Sequence, residues 1–451
     1  MTQHTRLSVA VALVLALAII AASGTCSAQQ SECSGTTPVP ECPGFTSSKG
    51  GFNFTVGACS VASTYQERCT LGFQFGYVDG VMGAAHTPDG LLYFGSAKSG
   101  SSATCSGPGS SPDTQGMYRL YPDANNPSHV IAAACDALLY PLNKHGNLTP
   151  RGVTGPYDSD YLGGGPTMEI ADGDKKLILL TYHSEFQYGE ARPGLANLFF
   201  GTLGLAVSTD HGATFRKLGE IIQPRSSRKA WIRDFPDKAL SIGNGPFILG
   251  DENDRPVSPN HADPEKTYIY VYYIDQDKDV CNGDQCLAVA RARLADVINA
   301  VHDPNTSTVP YLFRKYYNGK FDEPAATTDP NNNIPSGRYS PILSAVFSPS
   351  IIYEPVTQSA LLAYQVPNEH TIAFRMSGNL VNWDSTKPIA TLDERKQSFW
   401  VRYPSLIQTG AGERNDSQLW IFYTHDPEGS KGSWQTATFM ARSIKVLLFG
   451  P

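Results

Sequence analysis

The chain has 451 residues, a formal net charge of -7 and only 17% charged residues. No basic tract is present that could neutralise a phosphate backbone, which argues against nucleic acid as a partner. The 22 tyrosines and 20 phenylalanines are many for this length. Most serve packing between sheets, and a few can line a groove.

Residues 1–28 read as an export signal. Arg6 supplies the positive start, Val9 to Ala22 is an apolar run too short to span a bilayer as a folded helix, and Cys26-Ser27-Ala28 offers small residues before a cleavage point. A lipid anchor on Cys26 is disfavoured by Thr25, and a retained anchor helix by the length of the run. No second long apolar run follows, so the expected product is a soluble, secreted protein (extracellular or periplasmic), free of the membrane after signal removal and monomeric. Of nine cysteines, eight lie beyond the signal: Cys33, Cys42, Cys59, Cys69, Cys105, Cys135, Cys281 and Cys286. An even number in an exported chain predicts disulfides. Spacing makes Cys33/Cys42, Cys59/Cys69 and Cys281/Cys286 plausible local pairs without fixing them. Cys281 and Cys286 have no second Cys or His pair nearby, which argues against zinc. Residues 29–70, rich in Ser, Gly, Pro and Cys, form a disulfide-pinned lead-in with too few apolar residues for a core. Part of it can add a strand to the last repeat. Sequons stand at Asn53, Asn147, Asn305 and Asn415.

From residue 71 to the end the chain repeats. Residues 71–140 give GYVDGVMGAAH, LLYFGSA, GMYRLY and HVIAAAC. Residues 161–222 give GPTMEI, KKLILLTYHSE, LGLAVSTD and FRKLGEII. Residues 241–324 give GPFILGD, TYIYVYYID, LAVARARL and LFRKYYNGKF. Residues 340–394 give SPSIIYE, SALLAYQ, TIAFRMS and WDSTKPIATL. Residues 400–449 give WVRYPSLI, LWIFYTH, TATFMARS and IKVLLF. Each block is four short strands separated by Gly, Asn, Asp or Ser turns. A lone four-stranded sheet leaves both faces uncovered and needs copies beside it, so the expected fold is all-β: a five-bladed β-propeller with four antiparallel strands per blade, in one domain over residues 71–451. LADVINAVH at 294–302 is the one segment that reads as an amphipathic helix of more than a turn or two.

Two hairpins carry a signature. Ser208-Thr-Asp-His-Gly-Ala-Thr-Phe215 resembles the Asp box of sialidase-type propellers, and Ser377-Gly-Asn-Leu-Val-Asn-Trp383 resembles the S-x-D-L-x-x-W hairpin of five-bladed furanosidase propellers, with Asn379 for the Asp. Asp or Asn caps turn N–H groups, and the aromatic residue packs back on the blade. With them the chain resembles the propeller glycoside hydrolase superfamily that includes family 43 arabinanases and xylosidases. The resemblance implies a carbohydrate polymer or oligosaccharide as partner, of arabinan or xylan type, and a hydrolase. These hairpins mark the fold and sit on the face opposite the usual site.

In a propeller the loops leading into each innermost strand and following each second strand share one rim. That rim collects Asp79; Asp158, Asp160, His183 and Glu185; Asn244, Asp275 and Asp277; Arg338, Tyr339, Glu369 and His370; and Trp400, Arg402, Tyr403, His425 and Asp426. Glycoside hydrolysis needs two carboxyl groups across the scissile bond, one as acid and one as base or nucleophile. The family 43 arrangement, carried over position by position, makes Asp79 the base and Asp160 the orienting and tuning acid. The third position fails, because Ser241 to Leu249 contains no Glu. Glu185, beside His183, is the best substitute as proton donor, and Glu169 a poorer one. His183, Arg338, Tyr339, Trp400, Arg402 and His425 are the expected substrate contacts. Arg338 and Arg402 begin equivalent strands and would clamp a carboxylate or sulfate, while Trp400 and Tyr339 would stack on sugar rings. Without a third such Arg, a sialidase ranks low. No cofactor is required. Asp275, Asp277 and Asp279 imitate the start of a calcium loop, with Val280 at the required Gly and Cys286 at the required Glu, so a structural calcium ion is the one cation to look for. Propellers of this kind can also hold a channel cation on a His, for which His425 or His183 would serve. The missing third Glu leaves a rival, a glycan-binding propeller without hydrolysis, and behind it a protein-interaction propeller.

Overall fold

A computed structural model describes residues 42–49, 51–70, 73–75, 80–99, 115–133, 138–139, 156–158, 161–173, 175–187, 198–281, 284–303, 309–329, 331–383, 387–395, 399–410, 418–427 and 437–449. The export signal, Asp79, Asp160, Cys33, Cys105 and Cys135 lie outside them. The strands form five antiparallel sheets. Blade I sets Phe73–Phe75 and Gly83–Thr87 against Gly90–Ser99, then Gln115–Asp123 and Asn126–Ala133. Blade II sets Tyr161–Gly163 and Thr167–Asp172 against Lys175–Gln187, then Phe199–Ser208 and Arg216–Ile222. Blade III runs Phe247–Gly250, Tyr268–Asp275, Cys286–Arg293, Arg314–Tyr317 and Lys320–Pro324. Blade IV runs Phe347–Glu354, Ser359–Val366, Thr371–Ser377 and Ala390–Leu392. Blade V runs Phe399–Gln408, Leu419–Pro427 and Thr438–Leu448.

The second strand of each blade explains the ring. In Tyr268–Asp275, Ile269, Val271 and Tyr273 pack toward blade II, whereas Tyr270, Tyr272 and Ile274 pack toward blade IV. Successive side chains point to opposite faces, and here both faces are covered. The strand is therefore apolar throughout instead of alternating. The same split divides Leu177 and Leu179 from Ile178 and Leu180. Five such interfaces close the circle, the last joining blades V and I through Tyr93, Phe422 and Phe439.

Blade V departs from expectation. TATFMARS and IKVLLF form one strand, Thr438–Leu448, and the outer positions belong to the lead-in. Phe52–Val56 pairs with Ile444–Leu448, Phe45–Lys49 pairs with Phe52–Val56, and Ser60–Ser63 pairs further along the same edge. The lead-in therefore locks the last blade to the chain start. A Cys42–Cys59 disulfide holds the hairpin, so the pairs Cys33/Cys42 and Cys59/Cys69 do not form, while Cys281–Cys286 does. The helix at Leu294–His302 packs its apolar face beside blade III, joined by short helices at Tyr65–Thr70, Arg228–Asp234 and Lys278–Cys281.

The inner strands share a device at mid-channel. Each turns through a left-handed residue: Gly80, Gly164, Gly243, Ser348 and Tyr403, with φ of 135°, 84°, 77°, 43° and 51°. In four blades a proline follows within three residues: Pro166, Pro246, Pro349 and Pro404. Proline is tolerated on the channel edge because it has no N–H to donate, and its carbonyl still pairs inward: Thr181 N–H donates to Pro166 O at 3.1 Å and Tyr272 N–H to Pro246 O at 2.9 Å. Hydroxyls then stitch neighbours. Thr167 donates to Ala84 O and Thr181 to Gly245 O, both at 2.6 Å. Ser405 accepts from Met82 N–H at 2.8 Å and Ser350 from Leu406 N–H at 2.9 Å.

Two stability outcomes follow from these contacts. Replacing Cys42 and Cys59 together by Ala releases a loop of 17-residue separation and should cost about 3 kcal/mol in denaturant unfolding. Ser405→Ala leaves the buried Met82 N–H without an acceptor and should cost roughly 1–3 kcal/mol; no loss in urea unfolding would remove the hydroxyl seam from the account.

Candidate functional site

The rim of blade II is set by the register of its second strand. Glu185 lies opposite Tyr161, and His183 opposite Gly163. Both side chains are buried, 8% and 7% exposed, and both point toward blade III. His183 Nδ1 is 3.1 Å from the Gly243 carbonyl, and its Nε2 is 3.1 Å from Glu185 Oε1. The rings of Tyr161 and Phe199 flank it edge-on. A carbonyl can only accept, so Nδ1 carries a proton. The Nε2–Oε1 contact then needs a second proton, held either by a neutral carboxyl donating to the ring or by an imidazolium donating to a carboxylate. The imidazole and the carboxyl thus share one proton across this contact. Asp160 directly precedes Tyr161 in the chain.

Blade V brings a second group together. Trp400 is half-buried and stacks on His370 of blade IV, with centroids 4.0 Å apart and planes 9° apart. Arg402 lies 5.5 Å from the Trp400 ring centroid, and its Nε is 3.1 Å from Oδ2 of the fully buried Asp426. Burial pushes the Asp426 carboxyl up, against the pull of Arg402, His425 and Arg68. His425 turns to the other face. Its Nε2 is 2.7 Å from Glu394 Oε2, and Glu394 also takes Tyr423 Oη and Arg442 Nη2. Burial pushes Glu394 up, but His425 and Arg442 outweigh it and hold it low. His425 is 1% exposed, so it ties blade V to blade IV instead of facing substrate.

Two further expected contacts, besides His425, are misplaced. Arg338 does not begin an inner strand. Its segment folds back on the outer edge of blade III, where Gly337 N–H meets Pro324 O, and Arg338 pairs with Glu323 at 2.7 Å over the Tyr317 ring. Tyr339 is buried, donating to Cys281 Sγ at 3.2 Å beside Tyr273. Arg338 therefore forms no clamp with Arg402, and Tyr339 offers no stacking face. Asp158 is also buried, against Lys217 at 2.5 Å. Asp275 and Asp277 turn to Arg225: Asp275 accepts its N–H at 2.9 Å, Asp277 lies 3.4 Å from its Nη1, and Asp279 is exposed. Burial pushes Asp275 up to about 6 and the neighbouring Lys315 down to about 8. Among the described residues no group of three or more His, Cys, Asp or Glu is placed to hold a metal ion.

Below the proline neck an axial cavity of about 810 Å³ is lined by all five inner strands and opens on the opposite face. Glu169 is the one carboxylate among its described lining residues. Burial pushes this group up, but His86 Nδ1–H and Lys176, with the His86 backbone N–H, override that and hold it at about 2. It carries no proton to donate, which removes it as an acid. It serves as a clip between blades I and II, with His86 Nε2 reaching Thr409 O of blade V at 3.1 Å.

Glu394 and Arg442 escaped sequence reasoning, as did the role of the neck prolines. Arg442 inside the apolar run TFMARSIKVLL was a signal for a buried ion pair, and the recurrence of Pro166 and Pro246 just ahead of, and Pro349 and Pro404 within, the inner strands was a signal for the neck.

The clip has a pH signature. Glu169, lowered from 4.5 to about 2, adds stability above pH 4.5 that is lost as pH falls toward 2. His86, raised above 6.5 chiefly by its bond to Glu169, adds stability below pH 6.5 that is lost as pH rises through its raised value. Glu169→Gln should therefore destabilise most between these limits, on the order of 2 kcal/mol, and little near pH 2. A uniform loss across the pH range in thermal melts would contradict this.

No family model and no curated protein sequence matches the chain. Among solved structures, it aligns over 86% of its length with 90% of a family 117 glycoside hydrolase from the marine bacterium Zobellia galactanivorans, at 8% identity and a TM-score of 0.45. It aligns over 86% of its length with 89% of a GH43_1 enzyme from Xanthomonas citri, at 11% identity and 0.38. A beta-fructofuranosidase from Schwanniomyces occidentalis aligns over 58% of this chain and 40% of its own, at 16% identity and 0.35. These are distant likenesses and carry no residue role across.

Proposed function

We propose that this protein is a secreted glycoside hydrolase acting on a polysaccharide of arabinan or xylan type, with its chemistry at the rim between blades II and III. The observation that carries the reading is the Glu185–His183–Gly243 chain, in which a carbonyl fixes the ring and leaves one proton shared with a carboxyl at the mouth. Hydrolysis begins with protonation of the leaving glycosidic oxygen, and Glu185 is the donor. Its pairing with His183 keeps a proton within reach and orients the carboxyl. Asp79 as the base and Asp160 as the orienting acid rest on the resemblance of the sequence.

A glycan-binding protein without hydrolysis is the second reading. It is favoured by Asn244, an amide, at the neck of blade III, in the stretch where the resemblance places the third acid.

The discriminating experiment is release of new reducing ends from arabinans, xylans, galactans and sialylated or sulfated glycans. Glu185→Gln should lower the rate by about 10²–10⁴-fold with an unchanged melting temperature, and Asp79→Asn should abolish it. Full activity in Glu185→Gln would sink its role as acid. Binding to one polymer with no turnover would favour the second reading.

A further inference from the structure

We infer that Arg402, with the Trp400–His370 stack, forms a subsite for a sugar carrying an anionic substituent, a carboxylate or a sulfate. This rests on the carbohydrate reading above and names the substrate class within it. The argument begins with how Arg402 is held. Its Nε faces Asp426 at 3.1 Å, and Asp426 has no exposed surface and accepts no hydrogen bond on either oxygen. Among the described residues nothing accepts from Arg402 Nη1 or Nη2, and these atoms are not buried, since Nε alone of its nitrogens is closed off from solvent. The side chain is 18% exposed. It is thus fixed from behind by one counter-charge and open at the fork.

Other arginines of this fold differ. Arg338 spends its fork on Glu323 at 2.7 Å, Arg395 on Asp393 at 2.6 Å, and Arg442 on Glu394 and two backbone carbonyls. A rigid open fork matches a carboxylate or sulfate edge with two parallel hydrogen bonds. The surrounding field suits an anion. His370 is held below its ordinary value by burial and by the charges of Arg402 and Arg395. The opposing carboxylates are occupied, Asp393 by Arg395 and Asp426 by Arg402, which leaves Glu369 as the facing acid.

The aromatic plate supplies the sugar contact. His370 holds a left-handed φ of 55°, which costs a non-glycine residue energy, and its carbonyl is tied to Val401 N–H at 3.2 Å. That strained turn places its ring flat on Trp400 beside the open guanidinium. A pyranose ring laid against the plate would bring a ring substituent to the fork.

The test is calorimetric binding to a glucuronate-bearing xylo-oligosaccharide, to the same oligosaccharide after carboxyl reduction, and to a sulfated galacto-oligosaccharide. At least one anionic probe should bind tenfold or more tighter than the neutral one, and which it is separates carboxylate from sulfate. Arg402→Gln should erase the preference, bringing the affinity for the anionic probe down to that for the neutral one. Because that variant strands Asp426, the double variant Arg402→Gln/Asp426→Asn should show the same loss with a wild-type melting temperature. Equal affinity for charged and neutral probes, or an unchanged preference in the double variant, would overturn the inference. Charge-selective binding without turnover would keep this subsite and sink the hydrolase, whereas turnover together with equal affinity for the charged and neutral probes would do the reverse.

Discussion

Two-sided burial is the constraint on which this structure depends. A second strand such as Tyr268–Asp275 buries seven of its eight residues and is apolar toward both neighbours, so no blade can be stable by itself. Covering both faces of every sheet forces a closed ring, and the ring leaves one problem: the last sheet must meet the first without a loose edge. The lead-in solves it by pairing Phe52–Val56 on the outer edge of Thr438–Leu448. Arg442 reinforces the joint, donating to Pro43 O at 3.0 Å and Gly57 O at 2.9 Å while pairing with Glu394. A stretch with too few apolar residues for a core is thereby the latch of the whole ring.

The inner edges face the opposite problem. They border a channel and have no sheet partner on that side, which leaves N–H groups to be satisfied or removed. The proline neck removes some, the Ser350 and Ser405 hydroxyls accept from others across the blade seams, and the Thr167 and Thr181 hydroxyls donate across the same seams to carbonyls. This divides the axis in two. Below the neck lies a cavity of mixed polar and apolar lining with one spent carboxylate, and above it the rim gathers His183, Glu185, Trp400 and Arg402.

Repeat number, strand content and the helix at 294–302 were legible because they rest on local patterns: turn residues, run lengths and apolar periodicity. The two hairpins were legible for the same reason, and Asp210 indeed accepts from Thr214 N–H at 2.8 Å while Phe215 packs on Phe94. What was not legible depends on long-range placement. Nothing local shows that residues 331–342 fold back on blade III and carry Arg338 and Tyr339 away from the rim. Nor does spacing show that Cys59 meets Cys42, since the bridge is set by the hairpin between them and by the strand it pairs with. His425 stood at the right level, but it alternates with Thr424 and Asp426 and shares the blade IV face with Ile421 and Tyr423, a choice of side that only the packing of the ring decides.

Of the buried carboxyl groups at the ends of second strands, Glu185 and Asp426 each face a side-chain nitrogen, and their partners separate them. Glu185 and His183 lie on the face of blade II toward blade III. Asp426 lies on the face of blade V toward blade I, following Phe422, which packs on Tyr93. Each carboxyl is desolvated and each has one nitrogen partner within about 3 Å. Imidazole can both give and accept a proton, which fits the acid role proposed for Glu185 beside His183. Guanidinium cannot, so Asp426–Arg402 can hold charge in place but cannot supply a proton. The same position in two blades thus carries a proton-sharing pair on one side of the mouth and a fixed ion pair on the other, which is the division of labour that the proposed acid and the proposed anion subsite require.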